Sequence, residues 1–152
     1  MPEFEIAMVD VITSIEINAP VKRVIAYAMD QDNGPEWYIN IKSVKWLTEK
    51  PVTIGSKFAF VAHFLGRKLS YVYEVVKFSD TEMVMRTADG PFPMETTYQF
   101  ERIDDSTTRM TLRNRGTPLG FSRLFSPFMS AMMRKANKKD LKAIKQIIER
   151  RN

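Results

Sequence analysis

Tyr71, Tyr73 and Tyr98 carry the clearest chemical signal in this chain. A phenol joins a hydroxyl to an apolar ring, so it can hydrogen-bond a carbonyl or another phenol inside a greasy pocket. The chain has 1 histidine, His63, and 0 cysteines. A histidine-based metal cluster, a thiolate nucleophile and a disulfide are therefore excluded. HExxH, EF-hand, GxGxxG and P-loop patterns do not occur, so no metal and no other cofactor is expected. Gly120-Phe121-Ser122-Arg123-Leu124 lacks the second glycine of a nucleophile elbow and does not follow a strand. Asp104-Asp105-Ser106 is an acidic pair, but it reads as turn chemistry. An inward Glu74 or Glu95 would serve as a general base with its pKa raised by burial. An inward Arg86 would anchor a carboxylate. Alternation along their strands points all three outward.

The elements that must position the tyrosines follow from periodicity. Val11 to Ile17 alternates, with Val11, Thr13, Ile15 and Ile17 on one face. Asn18-Ala19-Pro20 reads as a helix start, with Asn18 available to cap and Pro20 in the first turn. Val21, Val24, Ile25 and Ala28 follow at helical spacing. Glu36 to Ile41 reads as a second short helix carrying Trp37 and Tyr38. Six strand patterns come next: Ser43 to Thr48, Lys57 to Phe64, Leu69 to Lys77, Glu82 to Thr87, Met94 to Ile103 and Thr107 to Asn114.

The hairpin around Gly66-Arg67 suits a type II′ turn and sets a register. Phe64 then faces Leu69, Ala62 faces Tyr71, Phe60 faces Tyr73 and Phe58 faces Val75. All share one apolar face, because side chains alternate with period two. His63 with Ser70, Val61 with Val72 and Ala59 with Glu74 form the other. Met94, Thr96, Tyr98 and Phe100 share the inner face of a later strand, and Thr108, Met110 and Leu112 that of the last.

Gly116 to Gly120 breaks the strand pattern. Ser126-Pro127 opens a long closing helix. Its apolar stripe runs through Phe128, Met129, Met132, Met133, Ala136, Leu141, Ile144, Ile147 and Ile148. Lys135, Lys138, Lys142, Lys145 and Glu149 occupy the opposite face. The first half of the stripe is Met and Phe, the second Leu and Ile. Two arrangements fit: the Met-rich half borders a hollow, or the whole stripe is core.

At 152 residues the chain is expected to form one domain, residues 1–152. Its 44% hydrophobic and 27% charged residues are ordinary for a globular protein. Met1 to Val9 carries Glu3 and Glu5 and no apolar run, so it does not read as a secretory signal. Absence of cysteine fits a reducing compartment, and a cytoplasmic location is expected. The net charge of +5 is concentrated at Arg134, Lys135, Lys138, Lys139, Lys142, Lys145, Arg150 and Arg151. This run reads first as a solvated helix face, with weak contact to an anionic membrane as the next reading. No aromatic-interleaved basic strand supports nucleic-acid binding. A monomer or homodimer is expected.

Several segments also carry a resemblance: Ile15-Glu16-Ile17-Asn18-Ala19-Pro20, Pro35-Glu36-Trp37, Ile54-Gly55-Ser56-Lys57-Phe58, Tyr98-Gln99-Phe100-Glu101, Ser106-Thr107-Thr108-Arg109-Met110-Thr111 and Gly116-Thr117-Pro118. From about Asp10 to Arg151 the chain resembles the START-like (SRPBCC) superfamily, and its polyketide cyclase/dehydrase-like members in particular. None of these segments is catalytic. The resemblance implies an α+β helix-grip fold. In it a curved seven-stranded antiparallel sheet wraps around a long C-terminal helix, with two short helices after the first strand. It further implies an apolar cavity that takes lipids, sterols, polyketides or other hydrophobic molecules. It does not imply one activity, because chemistry lives in the site and not in the fold.

The expected function is binding or transport of a hydrophobic small molecule. The expected lining is Trp37, Phe60, Tyr71, Tyr73, Met85, Tyr98, Met110, Phe128 and Met132, with Trp37, Tyr38 and Phe92 near the mouth. The alternative is a cyclase or dehydratase, a lyase or isomerase, using cavity tyrosines or a carboxylate. A further alternative is a peripheral membrane or protein-interaction module using the Lys-rich helix. A titratable group deep in the cavity, with a perturbed pKa and a hydrogen-bond partner, would favour the enzyme. Tyrosines alone would favour the carrier.

Overall fold

The computed structural model describes residues 9–64, 66–90, 93–117 and 126–151. Strand β1 (Val9–Ile17) leads into helix α1 (Val21–Ala28), a 3-10 turn (Gln31–Asn33) and the one-turn helix α2 (Gly34–Trp37). Strands β2 (Ile41–Trp46), β3 (Lys57–Phe64), β4 (Arg67–Phe78), β5 (Glu82–Asp89), β6 (Met94–Asp104) and β7 (Thr107–Gly116) follow, and helix α3 (Ser126–Arg150) closes the chain. The seven strands form one sheet in the order β1-β7-β6-β5-β4-β3-β2, and every neighbouring pair is antiparallel. Strands β2 to β7 are thus a meander of successive hairpins. The chain leaves the sheet at one edge and re-enters at the other, and α1 and α2 span the gap. This is the helix-grip arrangement that the resemblance implies.

Alternation makes the sheet two-faced. Val9, Val11, Thr13 and Ile17 of β1 are buried and Ile15 is half-buried, while Asp10, Ile12, Ser14 and Glu16 are exposed. The inner face meets α1, α2 and α3 in a core that includes Trp37, Phe58, Met83, Met110, Leu112, Leu141, Ile144 and Ile148. Each such side chain contributes about 1.5–3 kcal/mol by leaving water. The outer face carries cross-strand ion pairs. Arg109 reaches Glu16 and Glu101, Arg113 holds Asp10, and Arg86 and Arg115 close on Glu95 from both sides at 2.7 and 2.8 Å. Glu95 is therefore 5% exposed although it lies on the outer face. Outward placement of Arg86, Glu74 and Glu95 agrees with the strand alternation. Among the described residues, no helix is long and apolar enough to cross a membrane.

The structure departs from the sequence expectations at four places. In the β3–β4 hairpin Phe64 pairs with Arg67, so Phe60 faces Tyr71, Phe58 faces Tyr73 and His63 faces Lys68. Every expected pairing moves by two residues. Gly66 stands second in the two-residue loop, with φ of +74°, a left-handed backbone that glycine adopts without strain. Because the pleat repeats every two residues, a slip of two leaves each side chain on its expected face.

Asn18 does not cap α1. Pro20 occupies the cap position with extended backbone and no side-chain bond, and the Asn18 N–H donates to Glu149 Oε2 at 2.8 Å. Thr108 Oγ1 donates to Ala19 O, which keeps this segment extended against the sheet.

The second helix ends at Trp37 rather than reaching Ile41, and Ile41 already belongs to β2, which stops at Trp46. A continued helix would spend the Ile39 N–H on the carbonyl four residues earlier. Asp140 Oδ1 accepts it instead, at 2.9 Å.

In β4, Val75 pairs with Met85 and Lys77 with Val84, so Val76 bulges out of register. The bulge reverses the alternation: Val76 is exposed, and Phe78 turns to the core opposite Met83. At the far end of β7, Gly116 pairs with both Val9 and Met94. A Cβ there would lie 2.5 Å from Pro93 O, so the close approach requires glycine.

Candidate functional site

Inward-facing residues of the middle strands and the first half of α3 do not fill the space between them. The hollow left measures about 140 Å³ of room for the centre of a water-sized sphere, and it is recessed but not sealed. Period-two spacing supplies its floor: Phe60 and Ala62 from β3, Leu69, Tyr71 and Tyr73 from β4, Met85 and Thr87 from β5. Met94, Thr96 and Tyr98 from β6, with Asn114 from β7 and Val9 from β1, continue it. Tyr38, Asn40 and Ile41 form one side wall. Helix α3 forms the roof at positions three and four apart: Met129, Met133, Ala136, Asn137 and Asp140.

Aromatic packing holds the floor rigid. Phe60 and Tyr71, cross-strand partners, stack with centroids 5.4 Å apart, and Tyr73 meets both rings at 5.8 and 5.0 Å. The polar groups are organised in two sets. Thr96 Oγ1 donates to Asn114 Oδ1 at 2.6 Å and so has no proton left for Tyr73. Tyr73 Oη must therefore be the donor in its 3.0 Å bond to Thr96 Oγ1. Separately, the hydroxyls of Tyr38 and Tyr98 share a 2.5 Å hydrogen bond, and Trp37 stacks on Tyr38 at 4.0 Å.

Burial sets the protonation states. It pushes the Tyr73 phenol up to about 12. Tyr38, Tyr71 and Tyr98 are raised further, chiefly by burial. All four are neutral hydrogen-bonding groups near neutral pH. Asp140, 3% exposed, is pushed up to about 7 by burial, with the Ile39 N–H bond opposing. A carboxyl poised there can hold or release a proton at neutral pH. Asn137 is 4% exposed, and its Nδ2 has no hydrogen-bond partner among the described residues. No group of three or more metal-ligating side chains occurs among the described residues.

Of the residues expected to line a cavity, the structure brings Phe60, Tyr71, Tyr73, Met85 and Tyr98 together around the hollow. Trp37 and Met110 lie in the solid core behind it, 1% and 0% exposed. On α3 the lining positions are Met129 and Met133, not Met132 or Phe128. Phe128 is 55% exposed, because helical rotation carries it off the face that meets the sheet. Phe92 and the Gly120–Leu124 segment lie outside the described residues. Asn137 and Asp140 fall outside the expected lining, because the stripe read from the sequence runs through apolar residues alone. The available signal was spacing: 133, 137, 140 and 144 fall on one helical face.

A family model described as polyketide cyclase/dehydrase and lipid transport matches residues 8–149. Among solved structures, one protein from Thermus thermophilus is 18% identical, with 94% of this chain and 99% of that chain covered at a TM-score of 0.81. A START superfamily protein from Mycobacterium smegmatis is 14% identical over 94% of this chain and 99% of its own, also at 0.81. The Zhui aromatase/cyclase from a Streptomyces species is 14% identical over 93% and 94%, at 0.79. At these identities the likeness establishes the fold. No functionally curated protein matches the chain.

Proposed function

The chain belongs to the polyketide cyclase/dehydrase and lipid-transport family, and from that premise we propose that the hollow beneath α3 binds a hydrophobic small molecule. The observation that carries this reading is the recessed space itself, floored by stacked aromatic rings and roofed by flexible methionines. Burial of each apolar side-chain-sized piece of a guest gains about 1.5–3 kcal/mol. Micromolar affinity, near −8 kcal/mol, therefore needs only a handful of such contacts. Methionine adapts its shape, so the roof can close on guests of somewhat different outline. Native mass spectrometry of gently purified protein is expected to show a retained small molecule. Titration with an apolar fluorescent probe is expected to weaken at least tenfold in the Tyr73→Ala, Met133→Ala double variant. Uptake unchanged in that variant would remove this hollow as the binding site.

A second reading is supported by Asp140. A buried carboxyl with a pKa near 7, beside neutral phenols, has the properties of a general acid. In a cyclase or dehydratase it would protonate a departing hydroxyl or a carbonyl oxygen, while tyrosine hydroxyls orient the substrate. Asp140→Asn keeps the shape and removes the proton. Under this reading it abolishes turnover of a polyketone-type substrate and leaves uptake of the apolar probe unchanged. Full turnover in Asp140→Asn would leave the carrier reading alone.

A further inference from the structure

Two carboxyls among the described residues are buried, and the fold treats them oppositely. Glu95, on the outer face of the sheet, is clamped by Arg86 and Arg115 at 2.7 and 2.8 Å. Asp140, 3% exposed, has no cation beside it among the described residues. Its Oδ1 accepts the Ile39 N–H, and its Oδ2 has no hydrogen-bond partner there. That second oxygen is not sealed in. It stays open to a water-sized molecule, on a residue that lines the hollow. The carboxyl also lies within electrostatic reach of the phenols of Tyr38, Tyr71 and Tyr98, which line the same space. A carboxylate in an apolar space without a counter-ion is costly, so burial keeps this one partly protonated near neutral pH.

A counter-ion must arrive with a guest. Among the described lining residues there is no lysine, arginine or histidine. The titratable groups that face Asp140 are neutral phenols: Tyr38 from the turn into β2, Tyr71 and Tyr73 from β4 and Tyr98 from β6. Strands β1, β3, β5 and β7 bring no titratable side chain to the hollow. Glu36 of α2 is turned to Tyr27 and Arg151, and Lys138, Lys139 and Lys142 on α3 itself are exposed. The floor suits a cation as well. Phe60, Tyr71 and Tyr73 pack with centroids 5.0 to 5.8 Å apart, and the face of an aromatic ring attracts positive charge. The room, about 140 Å³, resembles that of an engineered apolar cavity of about 150 Å³ that admits benzene.

Resting on the binding reading above, we propose that the guest is a small organic ammonium, about one aromatic ring in size, whose N–H donates to Asp140 Oδ2. Asp140 then determines specificity, and the aromatic floor holds the apolar body of the guest. The pair needs the ionised carboxyl, so binding the cation releases the Asp140 proton to solvent. Affinity for a cation therefore rises as pH passes upward through about 7, and affinity for a neutral guest does not.

Calorimetric titration with benzylamine, benzyl alcohol and toluene at pH 5.5 and 8 tests this. The three share one ring, and benzylamine is cationic at both pH values. In the native sequence benzylamine is expected to bind about fivefold or more tighter than benzyl alcohol at pH 8. It is also expected to bind about tenfold or more tighter at pH 8 than at pH 5.5, with toluene unchanged. A smaller margin in either comparison overturns the inference. Asp140→Asn keeps an oxygen for the Ile39 N–H and removes the charge. In that variant the ratio of benzylamine to toluene affinity at pH 8 is expected to fall about tenfold, equivalent to about 1.4 kcal/mol. Taking a ratio cancels the general effect of the substitution on the hollow, and a fall of less than about threefold also overturns the inference. The pH comparison uses the native sequence alone and so covers the case in which the variant does not fold. If the neutral probes bind but benzylamine does not, water satisfies Oδ2, and the inference fails while the binding reading stands. If none of the three binds the native protein at millimolar concentration, both the binding reading and this inference fall.

Discussion

The two halves of α3 lie against the same sheet and end differently. Leu141, Ile144 and Ile148 are at most 2% exposed and belong to the main core. One to three turns earlier, Met133 and Ala136 are half-buried and border a hollow together with Asn137 and Asp140. Branched residues of fixed shape interdigitate to crystal-like density, whereas methionine tolerates an irregular boundary. The polar residues also differ. In the packed half they face solvent, as Lys142 and Gln146 do, but in the open half two of them face inward. The contrast teaches that the hollow is maintained by structure and is not a packing fault. A hydrogen-bonded floor and a tethered carboxyl hold its walls apart.

The largest expected effect tests the tether. The Asp140 carboxyl titrates near 3.8 in the unfolded chain and about 7 in the fold. Between those values the folded chain keeps a proton that the unfolded chain releases, so stability falls as pH rises. The loss is on the order of 4 kcal/mol, complete by about pH 7, with no further contribution above it. Urea unfolding at pH 4, 5.5, 7 and 8 should show this slope, and Asp140→Asn should flatten it. A parallel slope in both proteins would mean the open half is as wet as the surface.

Next comes a direct comparison of the halves. Ile144→Ala should destabilise by about 3 kcal/mol, since it leaves a cavity in dense packing. Met133→Ala should lose less than about 1 kcal/mol, because the lost contacts already faced empty space. Equal losses in denaturant unfolding would erase the distinction between the halves.

A smaller effect sharpens the account of the floor. Thr96→Val keeps the shape but leaves the Tyr73 hydroxyl and Asn114 Oδ1 without their shared partner. About 2 kcal/mol should be lost by the same measurement. The smallest effect belongs to the outer face of α3. Lys138→Glu alters an exposed residue with no ion pair among the described residues and should change stability by less than about 0.5 kcal/mol.

Much of the architecture was legible in the residues. Thr96, Tyr98 and Phe100 announce the inner face of β6, and Tyr71 and Tyr73 that of β4, because water on one side and core on the other impose a period of two. The same parity rescued the hairpin: its pairing slipped by two residues, yet Phe60 and Tyr71 stayed inside. The bulge at Val76 was not legible, since no residue type there demands it. Nor was the early end of α2, which depends on an acceptor a hundred residues away in Asp140.

By itself, then, the order of alternating and helical patterns determined a sheet gripping one long helix, because solvent contrast acts on each segment locally. Where the helix touches the sheet and where it stands clear was decided only in three dimensions. Phe128 and Asp140 show it: the apolar side chain ended in water and the charged one indoors, since burial depends on which neighbours arrive and not on a residue's own preference.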